Sequence, residues 1–351
     1  MKGTILIYGA TGYTGKLIAK TAVDQGARPI LAGRNLAKVN AVARPLGLKA
    51  RAFDLGDSAR IDAAIKGVAV ALDVAGPFSA TSRPMADACL RNRVHYLDIT
   101  GEIEVFEALA ARDAEAKARG VMLLPGVGFD VVPSDCLAAH LKHRLPDAND
   151  LRLYLSFGAN VSRGTAKTMV EAVAAGTRLR RNGRIVSRDW PEARSCDFGK
   201  GEKPTIQVSW GDVATAFRST GIPNIEVQIE ASPAIMAFAR TPSFVRSFLG
   251  LDFVQGLLKF QIDRMPEGPS EAARRAGRAV LVGQARNNAG RTVRSRLRTP
   301  EGYSLTAAAA FDAARRVAAG EVKPGFQTPS LVFGADYILS FAGVTREDLN
   351  A

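Results

Sequence analysis

Thr4-Ile-Leu-Ile-Tyr-Gly9-Ala-Thr-Gly12-Tyr-Thr-Gly15, with Pro29-Ile-Leu-Ala-Gly-Arg34 fourteen residues on, decides the fold. An apolar run, a glycine turn, an amphipathic stretch (Leu17, Ile18, Ala22, Val23) and a second apolar run read as strand, turn, helix, strand. That unit is built to hold a dinucleotide. Gly9, Gly12 and Gly15 let the backbone turn tightly and come close to a pyrophosphate, with Thr11, Tyr13 and Thr14 beside it. The helix that starts there points free N–H groups at the phosphates. At the end of the second strand an acid would accept a ribose 2′-hydroxyl, whereas a cation pairs with a 2′-phosphate. This chain has Gly33-Arg34, with Lys38 a turn beyond and no acid nearby, so the expected cofactor is NADP(H).

Outward from this unit, apolar segments alternate with helical patterns as far as Leu124. Strands are expected at Ala50–Asp54, Val68–Val74, His95–Ile99 and Val121–Leu124, with helices between. Apolar strands lacking a period of two belong to a parallel sheet covered on both faces. The expectation is an α/β, Rossmann-type doubly wound domain over residues 1–130. After Pro125 the texture changes to clustered strands: Leu151–Phe157, Thr205–Trp210, Ile225–Glu230, Arg278–Arg286 and Thr292–Arg298. Asn287-Asn-Ala-Gly290 reads as the turn joining the last two. Residues 131–327 therefore read as a second, mostly antiparallel α+β domain for substrate binding or dimerisation. Helices are expected within it at 163–175 and 304–319, and a closing helix within 328–351 is expected to pack back on the first domain.

Ligands in such a sheet lie beyond the carboxyl ends of the strands. Asp54 ends the third strand, near the adenosine. Ala75-Gly76-Pro77-Phe78 ends the fourth, where small residues admit the nicotinamide half. Tyr96 and Asp98 lie on the fifth, before Thr100-Gly-Glu102, and Asp130 follows the sixth. Thr100 with Glu102, and Asp135 beside Pro133, read as helix caps. An acid at a buried strand end needs a partner, which makes Tyr96, Asp98 and Asp130 the candidate orienting or proton-donating groups. Neither Tyr-x-x-x-Lys nor a histidine at a βα loop with an acidic partner occurs. That disfavours the usual carbonyl-reducing relays and leaves hydride delivery to a polarised C=C or C=N bond open.

Composition narrows the classes further. The 351 residues are 47% hydrophobic and 23% charged, enough for a full core. Cys89, Cys136 and Cys196 fit no metal or disulfide spacing, so no metal is expected. His140 and His143, beside Lys142 and Arg144, read as a surface helix end. The far-apart cysteines read as a reduced, cytoplasmic protein, and no signal peptide is expected where Met1-Lys2-Gly3 leads straight into a strand. The net charge of +13 is uneven: +3 over residues 1–150 and +10 over 151–351. Arg178–Arg188 and the alternating Arg294, Arg296 and Arg298 carry much of it; period two puts these last three on one strand face. A solvated face explains them, or an acidic partner such as an acyl carrier protein or anionic lipid. Nucleic acid is disfavoured, since no reader motif accompanies the charge. The apolar segment 242–260 is too short and too charged to span a bilayer, and reads as a buried helix pair, a lid, or a patch peripheral to a membrane.

Together these motifs resemble the saccharopine dehydrogenase-like oxidoreductases, in the branch with the trans-acting enoyl reductases. The resemblance rests on Gly9–Gly15, Ala32-Gly-Arg34, Ala75–Phe78, Tyr96–Glu102 and Gly128-Phe-Asp130-Val-Val-Pro133-Ser-Asp135. Ser162-Arg-Gly164-Thr165 and Thr328-Pro329 extend it along the chain. It implies a Rossmann domain, an inserted α+β domain and NADPH. Saccharopine-type enzymes commonly have a simpler Gly-x-Gly turn, and this chain departs from that. Three readings stay open: an NADPH-dependent reductase of an activated C=C bond in a lipid-like or carrier-linked small molecule, a C=N oxidoreductase on an amino-acid-derived imine, and a non-catalytic NADP(H)-binding sensor. A homodimer is compatible with each.

Overall fold

The computed structural model describes residues 3–158, 161–172, 177–233, 236 and 252–350. The chain divides into two compact units: Met1–Val132 with Tyr303–Tyr337, and Pro133–Gly302 with Ile338–Ala351.

The first unit is a parallel sheet. Its strands β1 (Ile5–Tyr8), β2 (Ile30–Gly33), β3 (Ala50–Ala52), β4 (Val70–Asp73), β5 (His95–Asp98) and β6 (Met122–Leu124) lie in the order β3-β2-β1-β4-β5-β6, and β15 (Gly325–Phe326) extends it beside β6. Every residue of β1, β2 and β4 is buried, as strands covered on both faces must be. Between them run helices α1 (Tyr13–Asp24), α2 (Leu36–Ala43), α3 (Ser58–Ile65), α4 (Phe78–Asn92), α5 (Ile103–Ala110) and α6 (Asp113–Arg119). Asn35 and Asp57 cap α2 and α3 by accepting the N–H of Lys38 and Arg60. The strand order reverses between β1 and β4, and in open α/β sheets the loops following two such strands are where ligands bind.

The unit boundary differs from the sequence expectation. The second domain expected from sequence includes the helix Gly302–Ala318, yet its Ala307, Ala310, Phe311, Ala314 and Val317 are buried in one core with Ile5, Ile7, Val70 and Leu72. Its alanines allow close approach to the sheet, and Thr306 Oγ1 accepts the N–H of Phe129 at 2.9 Å. The expected closing helix over 328–351 is likewise corrected. Pro329–Phe333 is one helical turn, broken at Gly334, whose φ of 89° is left-handed. Tyr337–Ser340 is a 3₁₀ turn, and Thr345–Leu349 is a strand of the second unit.

The second unit holds a mixed sheet. Its strands are β7 (Asp150–Ser156), β8 (Thr177–Arg181), β9 (Arg184–Arg188), β10 (Ala193–Asp197), β11 (Glu202–Val208), β12 (Asn224–Glu230), β13 (Arg278–Arg286), β14 (Thr292–Pro300) and β16 (Thr345–Leu349). The main path runs β10-β11-β12-β7-β13-β14-β16, with the β8–β9 hairpin attached to β12. Its pairings are antiparallel except β12 with β7. One face carries Leu151, Leu153, Leu155, Ile225 and Val227, all buried. On that face α7 (Val132–Arg144) packs so closely that a Cβ on Gly283 would sit 2.5 Å from Leu141 Cδ1. Of the apolar segment 242–260, residues 242–251 lie outside the described residues. The remainder begins the helix Asp252–Ile262, on which Phe253, Leu257 and Phe260 are exposed.

Candidate functional site

The turn after β1 is a cradle shaped by glycine. Gly9 has φ +86°, and a Cβ there would lie 2.7 Å from the Ala75 nitrogen. A Cβ on Gly15 would run into the Gly9 carbonyl and lie 2.8 Å from Ala10 Cα. These two glycines close the turn and seat α1 against it. Gly12 is exposed and opens α1; no side chain caps the helix and its first turn has no acid. The N-terminal N–H groups and the positive end of the dipole are thus offered to an anion. Thr11, Tyr13 and Thr14 stand half-buried around this end, Tyr13 edge-on to Tyr303 at 5.2 Å between ring centres. Arg34 is exposed at the end of β2 and enters no ion pair among the described residues; Lys38 is exposed on α2. Gly33 serves packing, since a Cβ would press Val39 Cγ2 at 3.1 Å. Asp54 is exposed and its Oδ1 accepts the Gly56 N–H at 2.8 Å, which shapes the loop after β3. A diphosphate at α1 and a 2′-phosphate at Arg34 fit this arrangement of donors and charge.

Across the switch point, the loop Ala75–Phe78 lies against Gly9 and is tightly tied. Asp73 Oδ1 accepts the Ala75 N–H at 3.0 Å, and Thr81 Oγ1 donates to the Ala75 carbonyl at 2.7 Å. The N-terminus of α4 is occupied. Glu102 spans it, taking the N–H of Phe78 on Oε1 and of Ser79 on Oε2, both at 2.8 Å. Glu102 therefore caps α4 rather than α5, while Thr100 Oγ1 accepts the Glu102 N–H at 3.0 Å.

At the ends of β5 and β6 the three candidate side chains separate into two environments. Tyr96 and Asp98 are fully buried, and the Tyr96 hydroxyl donates to Asp98 Oδ2 at 2.7 Å. Asp98 Oδ1 also accepts the N–H of Thr100 and of Gly126, each at 2.9 Å, so it staples the turns after β5 and β6 together. Burial pushes its carboxyl up to about 6 against the pull of these hydrogen bonds, and drives the Tyr96 hydroxyl well above its ordinary range. Asp130 is different. It is partly buried, its Oδ1 is buried without a hydrogen-bond partner, and its Oδ2 faces Gly101, where a Cβ would come within 2.8 Å. With no partner to stabilise the anion, burial pushes the Asp130 carboxyl up to about 7.

Sequence reasoning missed Asp73. It is fully buried, stands in register with Asp98 on the neighbouring strand, and is pushed up to about 8, chiefly by burial. The signal was an acid ending an otherwise apolar strand (Val70-Ala-Leu-Asp73). Asp135 lies buried in the first turn of α7, and His140 Nε2 meets Asp348 at 2.8 Å. Arg296 and Arg298 both pair with Glu347, so part of the basic face is neutralised within the unit.

Residues 5–124 match the family model described as the saccharopine dehydrogenase NADP binding domain. A Mycobacterium tuberculosis (strain ATCC 25618 / H37Rv) protein whose name carries the words trans-acting enoyl reductase is 31% identical over 187 residues, 49% of this chain and 45% of that protein. The trans-acting enoyl reductase of Mycobacterium leprae is 32% identical over 149 residues, 40% of this chain and 36% of its own length. The chain spans less than half the length of the curated relatives it matches. Among solved structures, apo histidine-tagged saccharopine dehydrogenase (L-Glu forming) from Saccharomyces cerevisiae has the same fold. The TM-score is 0.66 at 13% identity, over 99% of this chain and 100% of that one.

Proposed function

We propose, for a chain whose residues 5–124 match the saccharopine dehydrogenase NADP binding domain model, an NADPH-dependent reductase that saturates an activated C=C bond of a lipid-like or carrier-linked substrate. NADPH supplies the hydride when bound. The open end of α1 and Gly9–Gly15 bind its diphosphate, Arg34 and Lys38 its 2′-phosphate, and Ala75–Phe78 flank the nicotinamide side. Asp98 and Tyr96 act as positioning residues, because both are buried and bonded to each other. Asp130 holds the proton that completes the reduction.

The observation that carries this reading is the contrast in acids beyond β5 and β6. Asp98 is saturated with hydrogen bonds, whereas Asp130 keeps one oxygen unpartnered and titrates near neutrality. A general acid works best with a pKa near the working pH. The names of the relatives support the C=C choice, and the exposed Phe253, Leu257 and Phe260 support an apolar partner, whether an acyl carrier protein or a membrane surface. A homodimer remains compatible with the second unit.

The test is NADPH consumption with a panel of enoyl thioesters and a panel of keto acids plus amines. Enoyl thioesters are expected to be reduced, with the rate falling as pH rises through about 7. Asp130→Asn should lower kcat on the order of 100-fold while NADPH binding stays unchanged. Turnover confined to the imine panel, or full activity in Asp130→Asn, contradicts the reading.

A further inference from the structure

The second unit has one polar sheet face whose chemistry the reductase reading leaves unused. Successive residues of a strand point to opposite faces. Opposite the leucines of β7 therefore lie Arg152 and Tyr154, and register aligns Arg152 with Glu226 and Gln284, and Tyr154 with Gln228 and Val282. Gln228 aligns with Gln207 on β11, and Gln284 with Arg294 on β14. The sheet curls enough to cover this face. Cys196 and Phe198, from the β10–β11 hairpin, pack with Tyr154 and Val282, and a Cβ on Gly199 would meet the Arg296 guanidinium. As a result Gln207, Glu226 and Gln228 are 2%, 0% and 0% exposed.

Buried donors on this face outnumber their acceptors. Among the described residues, Arg152 Nε, Arg194 Nε, Arg294 Nε, Gln207 Nε2 and Gln228 Nε2 are buried without a hydrogen-bond partner, and against these five donors stands one unpartnered acceptor of the same face, Glu226 Oε2. The carboxylates present leave that surplus in place. Glu226 pairs with Arg181, and its Oε2 lies 3.5 Å from Arg152 and 3.7 Å from Arg194. Asp150 lies 3.6 Å from Arg152, and Glu192 takes Arg188 and the outer nitrogen of Arg194. Each buried N–H without an acceptor is destabilising, so a face that gathers five of them is built to receive acceptor oxygens. Guanidinium and carboxamide donors together suit an oxyanion.

We infer that the curled polar face of the second unit binds an anionic oxygen group, a carboxylate or a phosphate, between Arg152, Arg194, Gln207 and Gln228. All four residues belong to the second unit. It is tested by titration calorimetry of the full chain in excess NADP⁺, with sodium phosphate, sodium succinate and sodium chloride at matched ionic strength. Saturable binding of phosphate alone identifies a phosphate-bearing ligand, and of succinate alone a carboxylate; either supports the site. Gln228→Met and Arg194→Gln should each weaken that binding at least about 10-fold, a hydrogen bond to a charged group being worth roughly that factor. Arg184→Gln, on the exposed hairpin, should leave it unchanged. If Gln228→Met fails to fold, the half-buried Arg194→Gln decides. Heats indistinguishable from chloride, or equal affinity in wild type and Arg194→Gln, overturn the inference.

Discussion

Two helices, α1 and α4, begin at the same edge of the same parallel sheet, on neighbouring strands β1 and β4, and their first turns are treated in opposite ways. The start of α1 has glycine, no capping side chain and no acid. The start of α4 is closed by both oxygens of Glu102. A helix N-terminus carries unsatisfied N–H groups and a partial positive charge, and protein or ligand must answer them. Where the protein answers, the loop becomes a fixed wall. Where it declines to, the helix is left for an anion. The contrast thus separates the side of the crevice proposed to hold the phosphates from its rigid side, and it does so without reference to any relative.

Gly9→Ala attacks the open side and should have the largest effect. A Cβ at φ +86° would collide with the Ala75 backbone, costing on the order of 3 kcal/mol and abolishing cofactor binding. Thermal unfolding and NADPH titration measure both losses. Asp73 probes the wall. Its folded-state pKa is raised from the ordinary 3.8 to about 8, so the folded protein holds this proton more tightly than the unfolded chain. The stability it contributes is full below pH 3.8 and is lost as pH climbs to about 8. Asp73→Asn should flatten the decline of melting temperature across that window, and an unchanged slope would reassign the proton. Glu102→Gln is the mildest change. It should cost about 1 kcal/mol, the usual worth of a helix cap, and leave NADPH affinity as it was. A large loss of NADPH affinity there would mean that the two ends are not separate.

How much of this was legible in the sequence follows from separation along the chain. The cradle was readable because its constraints are local: Gly9 and Gly15 meet each other within two turns, and Arg34 follows one strand later. The Glu102 cap crosses 24 residues, and no spacing rule announces it; the nearer pairing of Thr100 with Glu102 was the natural expectation. The helix Gly302–Ala318 was recognisable as a helix but not as a member of the first unit, since an alanine-rich face can approach any apolar partner. The hairpin β8–β9 did carry a signal. Asn182-Gly183, both at positive φ, is a two-residue hairpin turn, and it was hidden by the arginines around it, which read as a charge cluster. Thr345–Leu349 had no apolar alternation to betray a strand, because it is an edge strand whose Glu347 answers Arg296 and Arg298. Of the acids, Asp98 and Asp130 were singled out by position alone. Only burial and hydrogen bonding distinguish the saturated one from the other.

The most direct measurement is calorimetric titration of NADPH and NADH into wild type and Arg34→Ala. NADPH should bind the wild type more tightly than NADH, and Arg34→Ala should weaken NADPH by roughly 10- to 100-fold while barely moving NADH, as expected for loss of one charge-assisted phosphate contact. Equal losses for both nucleotides, or no preference in the wild type, would contradict the assignment of the open end of α1 and Arg34 to NADP(H).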